Sequence, residues 1–333
     1  MNRIIFIICL FITLTKSSAQ SFPPQVGFTG TTAIHKDNSV FIEWATSVNI
    51  TLGYQNIANI SSGFANFGSE NDAIGIADGT PNIVSLGDGG EAIVQFEHAI
   101  TNGNGYDFAI FENGFLEQEG AELAFLELAF VEVSTDGIEY VRFPAITEID
   151  ATNQIDGFGF INARYLHNFA GKYINNYGTP FDLQDLLPLI SGTTVDLNNI
   201  NYIKIIDVIG TIDTNFATYD SQNNIVNDPY PTEFASGGFD LDAVGVIHNT
   251  TTNAVNGNTI TPIQIYPNPT VDVLYIKTTF SQNFTVEIYT LNGKKLFQAK
   301  NTTQINLSKL NKGIYFVKII SKENTYKTKI VKL

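Results

Sequence analysis

Cysteine, tryptophan and methionine occur once each in 333 residues, and the one cysteine, Cys9, lies in the apolar opening of the chain. Beyond that opening there is no thiol, which excludes disulfides, zinc–thiolate sites and cysteine nucleophiles. Positive charge is nearly as scarce. From Gln20 to Thr261 there are five basic residues (Lys36, Arg142, Arg164, Lys172, Lys204) against thirty acidic ones, a net charge of −25. Nothing here offers nucleic acid a basic face, so it is not expected as a partner. After the opening, no apolar run reaches the ~18–20 residues of a membrane-spanning helix. The four histidines (His35, His98, His167, His248) form no H-E-x-x-H or H-x-H pattern. G-x-S-x-G is absent, and so is the EF-hand spacing. Gly87-Asp88-Gly89-Gly90-Glu91 is glycine-rich but leads into a strand rather than a helix, so it reads as a turn and not a phosphate cradle.

What is present divides the chain. Residues 1–19 have the form of a secretory signal peptide: Arg3, an apolar run from Ile4 to Leu14, and Ser17-Ser18-Ala19 as a small-residue cleavage site. From Pro262 onward eleven lysines face Asp272, Glu287 and Glu323, a net of +8. A reversal of that size marks a domain boundary. The segment 249–261, rich in Asn and Thr, reads as a linker between a domain at 20–248 and a tail at 262–333.

The tail alternates apolar and polar residues in VDVLYIKT, FTVEIYTL, GIYFVKII and YKTKIVKL, a pattern that predicts a small Ig-like β-sandwich. IQIYPNPTVDVLYI, VEIYTLNGKKLF, INLSKLNKGIYFVKI and the terminal KIVKL, in that order, resemble the type A C-terminal sorting domain of the type IX secretion system. The resemblance implies a Bacteroidetes-type bacterium and export through the periplasm and across the outer membrane. It also implies engagement of the type IX machinery and removal of the tail by a sortase-like peptidase.

The central domain reads as all-β. EAIVQFEHAI, YDFAIFENGF, AFLELAFVEVSTDG, IEYVRFPAI, INYIKIIDVIG and FDLDAVGVIH are short, apolar and bounded by Gly, Asn or Asp. Only FDLQDLLPLI has helical spacing, with Asp182 as a cap and Pro188 limiting its length. A jelly-roll or other β-sandwich with long loops is expected. FVEVSTDGIEYVRF resembles the hairpin of galactose-binding-like jelly rolls. The fuller set of segments, from GTTAIHKD to SGGFDLDAVGVIH, resembles a little-characterised family of bacterial secreted surface proteins, some encoded beside outer-membrane cobalamin transport systems.

Three kinds of site are considered. Acidic residues at strand ends and in loops (Asp107, Glu112, Asp207, Asp213, Asp220, Asp228, Asp240, Asp242) suit calcium, which takes hard oxygen ligands. Asp107, Glu112, Asp240 and Asp242 are the candidate metal ligands, and a structural calcium is the candidate cofactor. A carboxylate pair for glycoside hydrolysis would come from Glu112, Glu117, Glu119, Glu122, Glu127 and Glu132. Glu127 and Glu132, five apart on one strand, would face opposite ways, with Arg142 a partner for one of them. Aromatic residues near polar loops suit a sugar or a flat ring system. Trp44, Phe160, Arg164, Tyr165, His167 and Tyr173 are the candidate ligand-binding residues, most of them in the loop 157–177. The leading expectation is a secreted cell-surface protein, not an enzyme. It would bind a small molecule or glycan, with cobalamin suggested by the family resemblance, and would pass a nutrient to an outer-membrane TonB-dependent receptor. A polysaccharide hydrolase and a calcium-stiffened adhesin are the alternatives.

Overall fold

The computed structural model describes residues 22–79, 82–251, 264–277, 284–290, 293–320 and 325–333. The expected signal peptide, with Cys9, and residues 252–261 of the expected linker lie outside the described residues. The chain divides into two compact units, residues 1–255 and 256–333, and the division falls within the Asn/Thr-rich segment.

The first unit is an antiparallel β-sandwich. One sheet has the order Ile34–His35, Tyr177–Phe181, Phe108–Glu112, Asp240–Val246, Glu43–Trp44, and Val84–Ser85 also pairs with Asp240–Val246. The other has the order Val141–Arg142, Ala129–Ser134, Ile200–Asp207, Glu91–Ile100, Ser47–Thr51. Alternation explains how they meet. Ala92 and Val94, Val131 and Val133, and Ile203 and Ile205 turn inward from the second sheet; Phe108, Ile110, Phe181, Leu241 and Val244 meet them from the first. Phe108–Glu112 is buried along its whole length because its other face is covered too. There Ala109 and Phe111 meet Phe41, Trp44, Ala77 and Ala243.

Two segments depart from the sequence expectation. AFLELAFVEVS does not run as one strand: Leu123–Phe125 joins a small three-stranded sheet with Phe115–Leu116 and Ile161–Asn162, and the chain re-enters the sandwich at Ala129–Ser134. Between them, Leu128 N–H donates to Asp228 Oδ2 at 3.0 Å, while Leu126 and Leu128 fill a second apolar cluster with Phe130 and Phe169. FDLQDLLPLI forms only one 3-10 turn, Leu183–Leu186. Asp182 caps it as expected, accepting from Gln184 N at 2.9 Å. Pro188 lacks an N–H to continue it, and Leu187 is left 52% exposed.

The second unit pairs two sheets. Gln264–Tyr266, Val273–Lys277 and Gln304–Asn306 form one; Lys295–Lys300, Thr285–Thr290, Gly313–Ile320 and Thr325–Lys332 form the other. Their core holds Leu274, Ile276, Val286, Ile288, Val317, Ile319 and Ile330. Lys295 pairs with Glu287 at 3.0 Å and Lys332 with Asp272 at 3.5 Å.

Phe181 is fully buried, stacked on Phe108 at 5.3 Å and edge-on to Phe143 at 5.0 Å. Phe181→Ala is expected to cost about 3–5 kcal/mol in denaturant unfolding of the first unit. A loss below about 1 kcal/mol would contradict this placement of the core.

Candidate binding site

Three carboxylates converge where two paired strands of the first sheet, Phe108–Glu112 and Asp240–Val246, meet end to start. Glu112 closes the strand Phe108–Glu112, and Asp240 opens Asp240–Val246, one residue from Glu112's ladder partner Leu241. Glu127 comes from the break between Leu123–Phe125 and Ala129–Ser134. One oxygen from each lies within 4.8 Å of the other two. Glu112 is 2% exposed, Glu127 6% and Asp240 7%.

Their hydrogen bonds are unevenly supplied. Glu112 Oε2 accepts from Gly114 N at 2.8 Å. Asp240 Oδ1 accepts from Ser85 Oγ, and the Asn113 side chain also bonds Asp240. Glu127 has no hydrogen-bond donor to its carboxylate among the described residues. No lysine, arginine or histidine among the described residues pairs with any of the three. Burial drives the Glu112 and Glu127 carboxyls well above the ordinary carboxylate range, and the Asp240 charge adds to the shift in both. Burial also raises Asp240 to about 6, partly offset by its bonds to Ser85 and Asn113.

The cluster floors a cavity of about 170 Å³ walled by phenylalanine. Phe115 and Phe125 stack at 5.1 Å, and Phe158 and Phe234 meet at 5.6 Å across the opening. Phe158 is 67% exposed and Phe234 48%, unusual exposure for such side chains on a loop-rich surface. Gly157 allows their approach: a Cβ there would lie 2.1 Å from the Pro231 carbonyl oxygen.

Calcium–oxygen distances of ~2.3–2.6 Å place opposite ligands ~5 Å apart, so the span of these carboxylate oxygens fits such an ion. A hydrolytic pair fits less well. Retaining glycosidases hold their two carboxyls ~5–5.5 Å apart and inverting ones ~6.5–9.5 Å. Here a third carboxylate joins the two, with one oxygen of each within 4.8 Å of the others.

The other expected metal ligands stand apart from this group. Asp107 is saturated within the fold, accepting from Gly103 N at 2.7 Å, Leu183 N at 2.7 Å and His248 Nδ1 at 2.9 Å. Asp242 was expected on the same strand face as Asp240. A register shift between Leu241 and Ala243 breaks the alternation, and Asp242 Oδ1 instead accepts from Asp78 N at 3.3 Å. Asp207, Asp220 and Asp228 are loop staples. Asp207 accepts from Phe239 N and Gly89 N, Asp220 from Thr147 N and Asp228 from Leu128 N.

The six aromatic and polar residues expected to bind ligand are scattered. Trp44 is packed against Phe41 at 5.0 Å and Phe111 at 5.4 Å on the outer face of the first sheet. Arg164 is held by Glu122 at 2.8 Å. Phe160 and Tyr165 line a groove beside the acidic cavity, and Phe160 meets Phe115 edge-on at 6.2 Å. His167 stacks on Phe22 at 5.0 Å in a separate cavity, and Tyr173 is buried beneath it with its hydroxyl 2.8 Å from Thr32 Oγ1. Glu132, as expected, pairs with Arg142, at 2.8 Å. Among the residues lining the acidic cavity, Phe115, Phe125 and Phe234 were not singled out from sequence, whereas Phe158 lies in the aromatic loop 157–177 that was, though outside the six candidate residues. Phe158, alone between glycines in GFGF, carried the best available signal.

Comparison with known proteins bears on the tail of this β-sandwich chain. Residues 264–333 match the secretion system C-terminal sorting domain. The tail is therefore a type IX sorting domain that engages the secretion machinery, and the chain is exported across the outer membrane, to the cell surface or released from it. No curated protein matches the chain. Among solved structures, the Ruminococcus gnavus β-glucuronidase shares 11% identity at a TM-score of 0.23, covering 94% of this chain and 46% of that one. The β-glucuronidase of the same organism in complex with D-glucaro 1,5-lactone gives 11% and 0.22, covering 94% and 47%. The chain thus spans less than half the length of these structures, and likeness at such TM-scores bears on neither mechanism nor ligand.

Asp88 supplies a pH test near the same loops. Burial raises it from 3.8 to about 6, against the bond it accepts from Ile57 N at 2.7 Å. The folded chain binds this proton more tightly than the unfolded one. The stabilisation is therefore complete below about pH 4 and is lost as pH rises through about 6. Asp88→Asn keeps an acceptor for Ile57 and is expected to remove up to about 3 kcal/mol of the stability lost between pH 4 and 7.5. Denaturant unfolding across that range checks it; an unchanged pH slope would contradict it.

Proposed function

We propose that the chain is a cell-surface binding protein whose ligand site is the phenylalanine-rimmed cavity, with calcium held by Glu112, Glu127 and Asp240 as its floor. The observation that carries this reading is the closeness of three buried carboxylates, one of them without any hydrogen-bond donor, beneath exposed aromatic rings. Leaving such charges buried and unpaired costs several kcal/mol each, and a divalent cation bound by all three would balance two of the three charges. Calcium takes six to eight oxygen ligands, so an ion held by these three carboxylates would have positions left for water or for oxygens of a ligand.

The cavity decides the scale of the ligand. At about 170 Å³ it is smaller than the ~300–1,000 Å³ of sites that engulf a drug-sized molecule. It suits one ring-sized unit laid against Phe158 and Phe234, which favours a glycan residue over a corrin taken whole. The sorting tail places the binder outside the cell. A sortase-like peptidase removing that tail, and an outer-membrane TonB-dependent receptor accepting captured nutrient, are the partners this reading carries.

Thermal melting of the secreted chain tests it, with EDTA, with calcium, and with calcium plus a glycan panel or cobalamin. Calcium at 100 times its dissociation constant is expected to stabilise by about 2.7 kcal/mol. Glu127→Gln abolishes that response. Phe158→Ala keeps the calcium response and loses the glycan response. A melting temperature indifferent to calcium would overturn the ion, and a calcium response with no ligand response would leave a calcium-stiffened adhesin instead.

A further inference from the structure

A cavity of about 420 Å³ in the first unit, apart from the acidic pocket, is lined in part by a buried lysine. Lys172 is 4% exposed. Its ammonium donates to the Leu166 carbonyl at 2.7 Å and lies 5.5 Å from the Tyr173 ring centroid. No carboxylate among the described residues pairs with it. Across the same cavity Thr179, 4% exposed, has a buried hydroxyl with no hydrogen-bond partner. A cation without a carboxylate partner and a residue with an unused hydroxyl thus line the same cavity, and together they supply the two kinds of donor that an oxyanion site uses. Beside them the rings of Phe22 and His167 are stacked on one another, 5.0 Å apart with their planes at 7°, and both residues line the cavity.

The lysine is held in place. Gly171 has φ +78°, and a Cβ there would sit 1.9 Å from the Glu127 carbonyl oxygen, so the backbone before Lys172 is pressed directly on the sandwich. Two acids limit what can enter. Asp182 and Asp185 also line the cavity, the first capping the Leu183–Leu186 turn and the second accepting from Asn168 Nδ2 at 3.3 Å. Their charges disfavour a dianion such as phosphate and leave room for a single negative charge.

We infer that this cavity is a second binding site, taking a small monocarboxylate with a planar ring. Its carboxylate pairs with Lys172 and accepts from Thr179, and its ring lies along Phe22 and His167. Nothing in this assignment depends on calcium at the acidic pocket. Burial lowers Lys172 to about 7 and also lowers His167, whose shift the nearby Lys172 increases and Asp185 opposes. Carboxylate binding stabilises the ammonium form, so at pH 8 binding draws a proton from solvent.

Titration calorimetry of the full secreted chain tests the site with 3-phenylpropionate and its neutral analogue 3-phenylpropanamide. The acid is expected to bind one per chain, at least tenfold tighter than the amide and unchanged by EDTA. At pH 8 the heat should vary with the buffer's ionisation enthalpy in the sense of proton uptake. Lys172→Met fills the same space without charge and is expected to weaken the acid at least tenfold. Thr179→Val should weaken it severalfold. Absence of saturable binding, equal binding of acid and amide, or unchanged binding in Lys172→Met would overturn the assignment. The acid–amide comparison uses the unaltered chain and stands even where a variant fails to fold.

Discussion

Burial of carboxylates without cations is the constraint around which the first unit is built. Thirty acidic residues share this part of the chain with five basic ones, so most buried acids cannot find an ion pair. The fold answers with backbone. Asp107, Asp207, Asp220 and Asp228 each accept main-chain N–H groups from loops remote in sequence, turning a liability into a set of staples that hold those loops to the sandwich. Glu127 is the exception. It is as buried as the others, yet its carboxylate has no hydrogen-bond donor among the described residues and lies beside two further carboxylates, which sets the acidic pocket apart from the staples.

Much of this architecture was legible in the sequence, because side-chain alternation is a direct consequence of strand geometry. EAIVQFEHAI and INYIKIIDVIG are strands as their patterns suggest, and the structure pairs them; the Ser134–Gly137 turn joins the hairpin before Val141–Arg142. Alternation misleads where a strand breaks or bulges. Glu127 in an apolar run was noticed, but a continuous strand would only have set it opposite Glu132. The break after Phe125 frees it to meet Glu112 and Asp240. The register shift at Leu241–Ala243 likewise separates Asp242 from Asp240. Neither irregularity has a glycine or proline to announce it.

Aromatic residues were legible as a class and not individually. Tyr173 is a core residue and Trp44 is half-buried against a core cluster, whereas Phe158 and Phe234 are exposed. Composition cannot separate the two, since both kinds lie near glycine and asparagine. The tail was the easiest part to read. Its ordered motifs and reversed charge set it apart from the acidic unit, and its core of Val, Ile and Leu forms a sandwich of its own.

The most direct test of the central claim is a crystal structure of the secreted chain grown in calcium, with data that locate the ion by its anomalous signal. The account predicts one anomalous peak bonded at ~2.3–2.6 Å to oxygens of Glu112, Glu127 and Asp240, on the side facing Phe158 and Phe234. Carboxyl groups bonded to one another through shared protons, with no ion between them at millimolar calcium, would contradict it.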